Sequence, residues 1–127
     1  MAALSEQTIA LIAHDGKKAD MIAFALQNRE RLSRYRLIAT ATTGKLIHEK
    51  CGLPVQCMLS GPLGGDAQIA AMVATGQVSA VFFFVDPLAA QAHDPDIQSL
   101  LRICNVHNVP LATNAATATY VISEKML

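Results

Sequence analysis

Short apolar runs recur along the chain, separated by longer segments in which apolar residues are spaced as in a helix. Such runs are typical of strands buried on both faces of a parallel sheet, and they are too short for the core of a helix. We therefore predict five strands, at Ile9–Ala13, Leu37–Ala39, Val55–Leu59, Ala80–Val85 and Val109–Ala112.

The intervening segments carry apolar stripes that predict helices. The clearest stripe has the spacing i, i+3, i+4, i+7 and consists of Ile97, Leu100, Leu101 and Cys104. The predicted helices cover Lys17 to about Leu32, Lys45–Cys51, Asp66–Gly76, the segment from Ile97 to Cys104, and a last segment that ends near Ile122. Because strands and helices alternate with short connections, the pattern indicates an α/β fold with a mainly parallel five-stranded sheet, helices on both faces and right-handed crossovers.

The composition narrows the class of protein. We interpret the 127 residues as a single domain, 1–127, in which 52% of the residues are apolar and 16% are charged. Ten basic and ten acidic side chains cancel, and the aromatic content is 5% without tryptophan. A chain with no net field and few aromatic rings is poorly suited to nucleic acid or an anionic membrane, so any anion must be held by a local site.

The cysteines and the N-terminal residues bear on location. Cys51, Cys57 and Cys104 form no C-x-x-C pair, which argues against both a disulfide framework and a zinc knuckle. Residues 1–8 lack a basic region followed by an apolar run, and no apolar stretch reaches the roughly 20 residues that span a bilayer. We expect a cytoplasmic protein with no membrane partner.

Reactive polar side chains follow every predicted strand. The ligand site of a parallel α/β sheet lies beyond the carboxyl ends of its strands. The groups that follow the five strands in turn are His14, Asp15 and Lys18; Thr40–Thr43; Ser60–Asp66; Asp86, His93 and Asp96; and Thr113 with Asn114. Polar loops occur at the strand ends of many proteins, so this enrichment favours a site at the rim but does not define its chemistry.

The glycine-rich run Ser60–Asp66 is the most distinctive part of this rim. Its three glycines and Pro62 let the backbone curl around a small ligand and offer bare N–H groups that suit an anion. Asp66 stands where a helix dipole favours an ionised carboxylate, and the alternative is that Asp66 only caps the helix. Thr40–Thr43 has two interpretations of the same kind, a phosphate cradle or a helix cap.

Several cofactors are disfavoured. The glycine-rich run lacks the Lys-Ser/Thr ending of a P-loop, and no glycine fingerprint follows the first strand, which argues against ATP and NAD. No close His-x-x-x-His pair is present, so we predict neither a metal nor another cofactor. Two imidazoles, His14 and His93, with carboxylates around a phosphate cradle indicate proton transfer on a small phosphorylated carbonyl compound.

Five motifs occur in order and together carry a family resemblance. They are Ala13-His14-Asp15, Thr40–Gly44, Leu59–Asp66, Asp86-Pro87-Leu88 and His93-Asp94-Pro95-Asp96. From about residue 8 to residue 122 the sequence resembles the methylglyoxal synthase family. The resemblance implies a Rossmann-like three-layer α/β/α sandwich, assembly into homohexamers, and conversion of dihydroxyacetone phosphate to methylglyoxal and inorganic phosphate.

The resemblance also implies roles for individual residues. Asp66 would be the catalytic base, and His14, His93 and Asp96 the other catalytic groups, of which the sequence does not identify the acid that acts on the leaving phosphate. Asp15 and Asp86 would be supporting carboxylates. The implied substrate-binding residues are His14, Lys18, Thr40, Ala41, Thr42, Thr43, Ser60, Gly61 and His93.

Two departures from the family pattern affect the expected phosphate site. Ala41 stands where family members usually have glycine, and alanine keeps the N–H but tolerates a positive φ poorly, so the sequence does not define the fine shape of the phosphate loop. The sequence ends at Leu127, whereas longer members carry a tail whose arginine adds to the phosphate site. We expect inhibition by inorganic phosphate, with a lower affinity than in longer members.

Two other functions compete with the lyase. The fold also serves as an allosteric domain in carbamoyl phosphate synthetase, so the chain could be a non-catalytic sensor of a phosphate ligand. Carboxylates close to an anion weaken its binding, and the presence of Asp66, Asp86 and Asp96 therefore favours catalysis. A phosphatase with Ser60 as the nucleophile is the weakest alternative, because no base adjoins Ser60 in the sequence.

Overall fold

A computed structural model describes residues 7–88 and 97–123 of the chain. The strands are β1 (Thr8–Ala13), β2 (Arg36–Ala39), β3 (Gln56–Cys57), β4 (Ala80–Phe84) and β5 (Leu111–Ala112). The helices are α1 (Lys18–Gln27), α2 (Arg29–Leu32), α3 (Ala41–Cys51), α4 (Gly65–Ala74), α5 (Ile97–His107) and α6 (Ala115–Ile122). Single 3-10 turns at Asp15–Lys17 and Gly61–Leu63 precede α1 and α4.

The five strands form one sheet in the order β3-β2-β1-β4-β5, and all four pairings are parallel. β1 is central, with Leu11 opposite Ala39 of β2 and Phe82 of β4. The chain winds outward in one direction from β1 to β3 and in the other from β4 to β5, so the winding reverses between β1 and β4. Open α/β sheets bind their ligands at such a reversal, beyond the carboxyl ends of the strands.

Two apolar cores lie on opposite faces of the sheet, which confirms the predicted three layers. Alternate residues of β1 point to opposite faces, and every residue of this strand is buried. One face packs under α1, α3 and α6, and its core includes Ile9, Leu11 and Phe24. The other packs under α4 and α5, and its core includes Ala10, Ile12, Ile69, Phe83 and Leu100.

The helix predicted over Lys17 to Leu32 is two helices that meet at Asn28. The side-chain amide of Asn28 donates to the carbonyl oxygen of Phe24 over 3.0 Å, and its backbone leaves helical values with ψ at 24°. Arg29, the first residue of α2, lies at the C-terminal end of α3, where its Nε donates to the carbonyl oxygen of Cys51 over 2.6 Å. A cation at this end complements the helix dipole.

The outer strands are shorter than their apolar runs predict. β3 pairs with β2 over Gln56 and Cys57 only, and β5 pairs with β4 over Leu111 and Ala112. Each outer strand has one neighbour, so few hydrogen bonds hold its ends in an extended conformation. Pro110 has no N–H to donate, although its carbonyl oxygen accepts from Val81 N–H over 2.9 Å.

Candidate active site

His14 lies at the carboxyl end of the central strand, buried except for 7% of its surface. Its ring packs edge-on against Phe83, with ring centroids 5.3 Å apart. The backbone N–H of Asp86 donates to Nδ1 of His14 over 3.0 Å. Because Nδ1 accepts this bond, the neutral ring carries its proton on Nε2 and can donate from that nitrogen.

Lys18 begins α1 and turns its side chain back over the end of β1. Nζ donates to the carbonyl oxygen of Ala13 over 3.0 Å and to Oδ1 of Asp15 over 2.9 Å. The lysine side chain is 18% exposed, whereas that of Asp15 is 65% exposed. An ammonium group is thus held at the rim beside His14, with a carboxylate partner on its solvent side.

The first turn of α3 has the features of an anion site. Thr40 occupies the N-cap position in an extended conformation, yet its side chain makes no capping hydrogen bond. Thr43 is 1% exposed, and among the described residues its buried hydroxyl has no hydrogen-bond partner. The first amides of a helix lack intrahelical acceptors, so Thr42 and Thr43 present donors at the positive end of the dipole.

Ala41 lies in the first turn of α3 without a positive φ, so its side chain imposes no backbone strain on the phosphate loop. The segment 41–44, predicted as a loop before a helix at Lys45, is itself the first turn of α3. Among the described residues, Asn108 is the one non-glycine residue with a positive φ. The amide of Ala41 donates to the carbonyl oxygen of Leu59 over 3.3 Å, so this amide is not available to a ligand.

Asp66 lies in the first turn of α4, and the N-cap is Gly64, not Asp66. Ser60 and Gly61 lead into the 3-10 turn before α4, and Gly64 ends that turn with φ at 103°. The amide of Gly65 donates to the carbonyl oxygen of Ser60 over 2.9 Å. The alternative that Asp66 is only a helix cap is therefore wrong, because the capping position is already filled.

Gly65 sits against the backbone of the preceding loop. A Cβ atom at this position would overlap the carbonyl oxygen of Leu59 and come within 3.1 Å of that of Ser60. The second glycine of the Gly-Gly-Asp sequence is thus required by close backbone approach. This contact fixes where α4, and with it Asp66, begins.

Asp86 follows β4 and lies beside the turn that follows β1. Its backbone amide donates a hydrogen bond to His14, and its Oδ1 accepts a hydrogen bond from the amide of Leu88 over 3.1 Å. The other carboxylate oxygen of Asp86 lies against Cα of Gly16, where a Cβ atom would collide with it. His93 and Asp96, predicted for the same loop, lie outside the described residues.

The sheet brings these groups to one edge. Leu11 pairs with Ala39, so Ile12 and Thr40 are neighbours one residue later, and Ala39 pairs with Cys57 just before Ser60. Neighbouring strands lie roughly 4.8 Å apart, so the ends of β2, β1 and β4 span about 10 Å, the scale of a small phosphorylated molecule.

His14 and α4 lie on the same face of the sheet. The ring of His14 contacts Phe83, and Phe83 belongs to the apolar core that packs under α4.

Two features of this region are not evident from the motifs. Gln68 of α4 accepts a hydrogen bond at Oε1 from the amide of Leu59 over 2.8 Å, and only its position two residues after Asp66 could have drawn attention to it. A cavity of about 550 Å³ lies between α1, the end of β4 and the start of α6. Phe24 and Phe84 line it, and of the polar groups predicted for the rim only Thr113 and Asn114 are among its lining residues in the described part of the chain.

Residues 7–88 and 97–123 contain neither a metal-binding cluster nor a helix that could span a membrane. No group of three or more His, Cys, Asp or Glu side chains there is arranged to hold a metal ion. No helix in that part of the chain is both long and apolar enough to cross a bilayer.

The fold and the rim define an α/β protein whose polar side chains gather beyond the carboxyl ends of its strands. The family model of the MGS-like domain matches residues 20–113. The chain belongs to this family, and its likeness to proteins named methylglyoxal synthase marks it as an enzyme.

Three curated relatives and one crystal structure illustrate the likeness. Methylglyoxal synthase of Clostridium botulinum is 54% identical over 116 residues, covering 91% of this chain and 98% of the relative. The methylglyoxal synthase of Carboxydothermus hydrogenoformans is 60% identical over 110 residues, covering 87% of this chain and 91% of the relative. That of Thermus thermophilus is 56% identical over 117 residues, covering 92% of this chain and 93% of the relative. The crystal structure of methylglyoxal synthase from Elizabethkingia anophelis matches with a TM-score of 0.92 and 46% identity, over 97% of this chain and 82% of that one.

Proposed function

We propose that the chain is a carbon-oxygen lyase that converts dihydroxyacetone phosphate to methylglyoxal and inorganic phosphate through an enediolate. The observation that carries the proposal is the open first turn of α3, in which Thr40 makes no capping bond and the buried Thr43 hydroxyl has no hydrogen-bond partner within residues 7–88 and 97–123. This turn lies at the same sheet edge as His14, and α4, which carries Asp66, begins beside it. The names of the relatives support the same reaction.

The phosphate of the substrate would bind at the N-terminus of α3. The amides and hydroxyls of Thr42 and Thr43 would donate to its oxygens, with Thr40, Ser60 and Gly61 completing the cradle. Lys18 would add a positive charge, since its ammonium group is held at the rim by Ala13 and Asp15. In this scheme Ala41 contributes backbone shape, because its amide is bonded to Leu59.

Asp66 would remove a proton from the hydroxymethyl carbon of the bound substrate. The hydrogens of this carbon are only weakly acidic, so the base needs a donor that stabilises the negative charge that develops on the carbonyl oxygen. Nε2–H of His14 suits this role, since the amide of Asp86 occupies Nδ1 and fixes the tautomer. A preorganised donor of this kind contributes on the order of 2.7–4 kcal/mol to transition-state stabilisation.

The enediolate would then lose phosphate. The hydroxyl on the deprotonated carbon becomes an aldehyde C=O and releases its proton, the C=C pair of the enediolate moves to form a new C=C bond to the phosphate-bearing carbon, and the C–O bond to phosphate breaks with its electrons on the phosphate, which takes up the released proton. The resulting enolate takes up a proton on its terminal CH2 carbon to give methylglyoxal. A cradle that holds the C–O bond out of the enediolate plane favours this elimination over reprotonation, and His14, His93 or Asp96 would supply the proton or hydrogen bond to the leaving oxygens.

The proposal extends to assembly, inhibition and location. Leu63 and Leu88 are 70% and 95% exposed, and burial of these two large apolar side chains would favour a homo-oligomer, with the hexamer as the proposed form. Inorganic phosphate would inhibit by occupying the cradle as the product. Cys51, Cys57 and Cys104 are free thiols, which is consistent with the cytoplasm as the proposed setting.

The deciding experiment incubates the purified chain with dihydroxyacetone phosphate and measures methylglyoxal and inorganic phosphate. Equimolar release of both products is expected from the lyase. Phosphate without methylglyoxal would indicate a phosphatase instead. Tight binding of the substrate without either product would indicate a ligand-sensing domain and would overturn the lyase.

A further inference from the structure

The backbone of Leu59 joins the two helices of the proposed site. Its amide donates to Oε1 of Gln68 on α4 over 2.8 Å, and its carbonyl oxygen accepts from the amide of Ala41 on α3 over 3.3 Å. The same carbonyl oxygen lies against Cα of Gly65, where a Cβ atom would collide with it. Leu59 therefore contacts the N-terminal turns of both α3 and α4 and also the side chain of Gln68 on α4.

Gln68 lies one half-turn of helix beyond Asp66. The helix between them has regular geometry, so a constraint on the side chain of Gln68 is also a constraint on the position of Asp66. Leu59, at the other end of the hydrogen bond, immediately precedes Ser60 and is bonded to Ala41, the first residue of the turn that would bind phosphate. The hydrogen bond between Gln68 and Leu59 thus links the helix that carries the proposed base to the proposed anion cradle.

We propose that Gln68 is a positioning residue, whose side-chain oxygen holds Leu59 against α4 and so sets the distance between Asp66 and the phosphate-binding turn of α3. This inference rests on the lyase function proposed above. Gln68 itself touches neither the base nor the phosphate in this scheme.

The hydrogen bond between Leu59 and Gln68 is exposed to solvent. Its effect on the geometry of the site can therefore be measured apart from its effect on the stability of the fold. Exposed hydrogen bonds add little to the free energy of unfolding because water replaces them. Catalysis is more sensitive, since a displacement of about 1 Å between reacting groups can lower the rate on the order of 10²-fold. Loss of the bond should therefore lower kcat in a protein that folds normally.

Three variants test the role of the side-chain oxygen. Gln68→Met keeps the length of the side chain and removes the acceptor, whereas Gln68→Glu keeps an acceptor for the amide of Leu59. Gln77→Met is the matched control, because Gln77 is also exposed and its Nε2 bonds Thr75 over 2.6 Å beyond the far end of α4. For each protein, kcat with dihydroxyacetone phosphate, the inhibition constant of inorganic phosphate and the hydrogen exchange of the Leu59 amide are measured.

We expect Gln68→Met to lower kcat roughly 10-fold to 10²-fold and to speed exchange at the Leu59 amide. The inhibition constant of phosphate should stay close to that of the wild type, because the contact between Leu59 and Ala41 remains. Gln68→Glu should restore both kcat and the protection of the Leu59 amide, and Gln77→Met should change none of the three quantities.

Two outcomes would overturn the positioning role. One is an unchanged kcat in Gln68→Met despite faster exchange at Leu59, and the other is a kcat in Gln68→Glu as low as in Gln68→Met. A wild-type chain that forms no methylglyoxal would instead overturn the proposed function and with it any catalytic role of Gln68. The exchange rates at Leu59 would still report whether the contact between the two residues exists.

Discussion

The amide of Asp86 donates to Nδ1 of His14 over 3.0 Å, and this one hydrogen bond fixes which ring nitrogen of His14 can act as a donor. Asp86 follows β4 and His14 follows β1, the two strands between which the winding of the sheet reverses. The tautomer of the imidazole is therefore a property of the fold. A second bond, from the amide of His14 to the carbonyl oxygen of Phe84 over 3.1 Å, keeps the two strand ends in register.

The tautomer can be measured directly. We expect nitrogen NMR of the neutral imidazole ring to find the proton of His14 on Nε2, because Nδ1 accepts a hydrogen bond from the amide of Asp86. His48 is the internal control, since its Nδ1 lies 3.1 Å from the carbonyl oxygen of Leu53 and must donate to it. His48 should thus show the opposite tautomer, and the same Nδ1–H tautomer in both rings would contradict the assignment for His14.

Asp66→Asn tests the proposed base. The amide keeps the size of the side chain but cannot take up the substrate proton, so kcat should fall about 10²-fold to 10⁴-fold while binding of inorganic phosphate persists. Asp20→Asn is the control, because Asp20 is 57% exposed, pairs with Lys17 over 3.3 Å and has no place in the proposed chemistry. A rate for Asp66→Asn equal to that of Asp20→Asn would remove Asp66 from the role of base.

Thr43→Val separates ligand binding from stability. Valine has nearly the shape of threonine, and it removes a buried hydroxyl for which the described part of the chain supplies no hydrogen-bond partner. An unsatisfied buried donor costs roughly 1–3 kcal/mol, so the variant should unfold at a higher temperature than the wild type. It should also bind inorganic phosphate more weakly, as measured by calorimetry.

The opposite pattern for Thr43→Val would count against the phosphate cradle. A variant that is less stable, yet binds phosphate as well as the wild type, would mean that the hydroxyl serves the fold. Thr42→Val provides a comparison, because Thr42 is exposed at the same turn and its substitution should weaken phosphate binding without raising stability.

Gly65→Ala tests the contact between Leu59 and α4. The added Cβ atom would collide with the carbonyl oxygen of Leu59, so the first turn of α4 must move and carry Asp66 with it. We expect a lower melting temperature and a loss of kcat/KM. Gly76→Ala is the control, since Gly76 has φ at 79° and open space around it, and its cost should be about 1–2 kcal/mol of stability with kcat/KM unchanged. Equal effects of the two variants on kcat/KM would rule out a specific role for Gly65.

The sequence predicted the layers of the fold well because burial on both faces leaves a clear signal. β1 and β4 are apolar at nearly every position, and both were located to within a residue. The break at Asn28 was missed, because it depends on a side-chain bond to Phe24 and not on the apolar stripe, which continues to Leu32. The short outer strands were overestimated, since a run of apolar residues does not reveal how many neighbours a strand has.

The site was predicted in part, for a similar reason. Strand ends identified His14, Thr40 and Asp66 as rim residues, because parallel strands bring their carboxyl ends to one edge. The start of α3 at Ala41 was not predicted, since Thr42 and Thr43 have low helix propensity and resemble a loop. Gln68 was missed because its partner is a backbone amide nine positions away, and a sequence does not display such contacts.

Arg29, bound to the carbonyl oxygen of Cys51, has a consequence for anion selectivity. It compensates the negative end of α3, so the electric field at the opposite end comes from one uncompensated pole. Such a field attracts sulfate or arsenate as readily as phosphate. At the proposed phosphate site, discrimination among tetrahedral oxyanions would therefore come from the short-range fit and protonation of their oxygen atoms against the threonine hydroxyls.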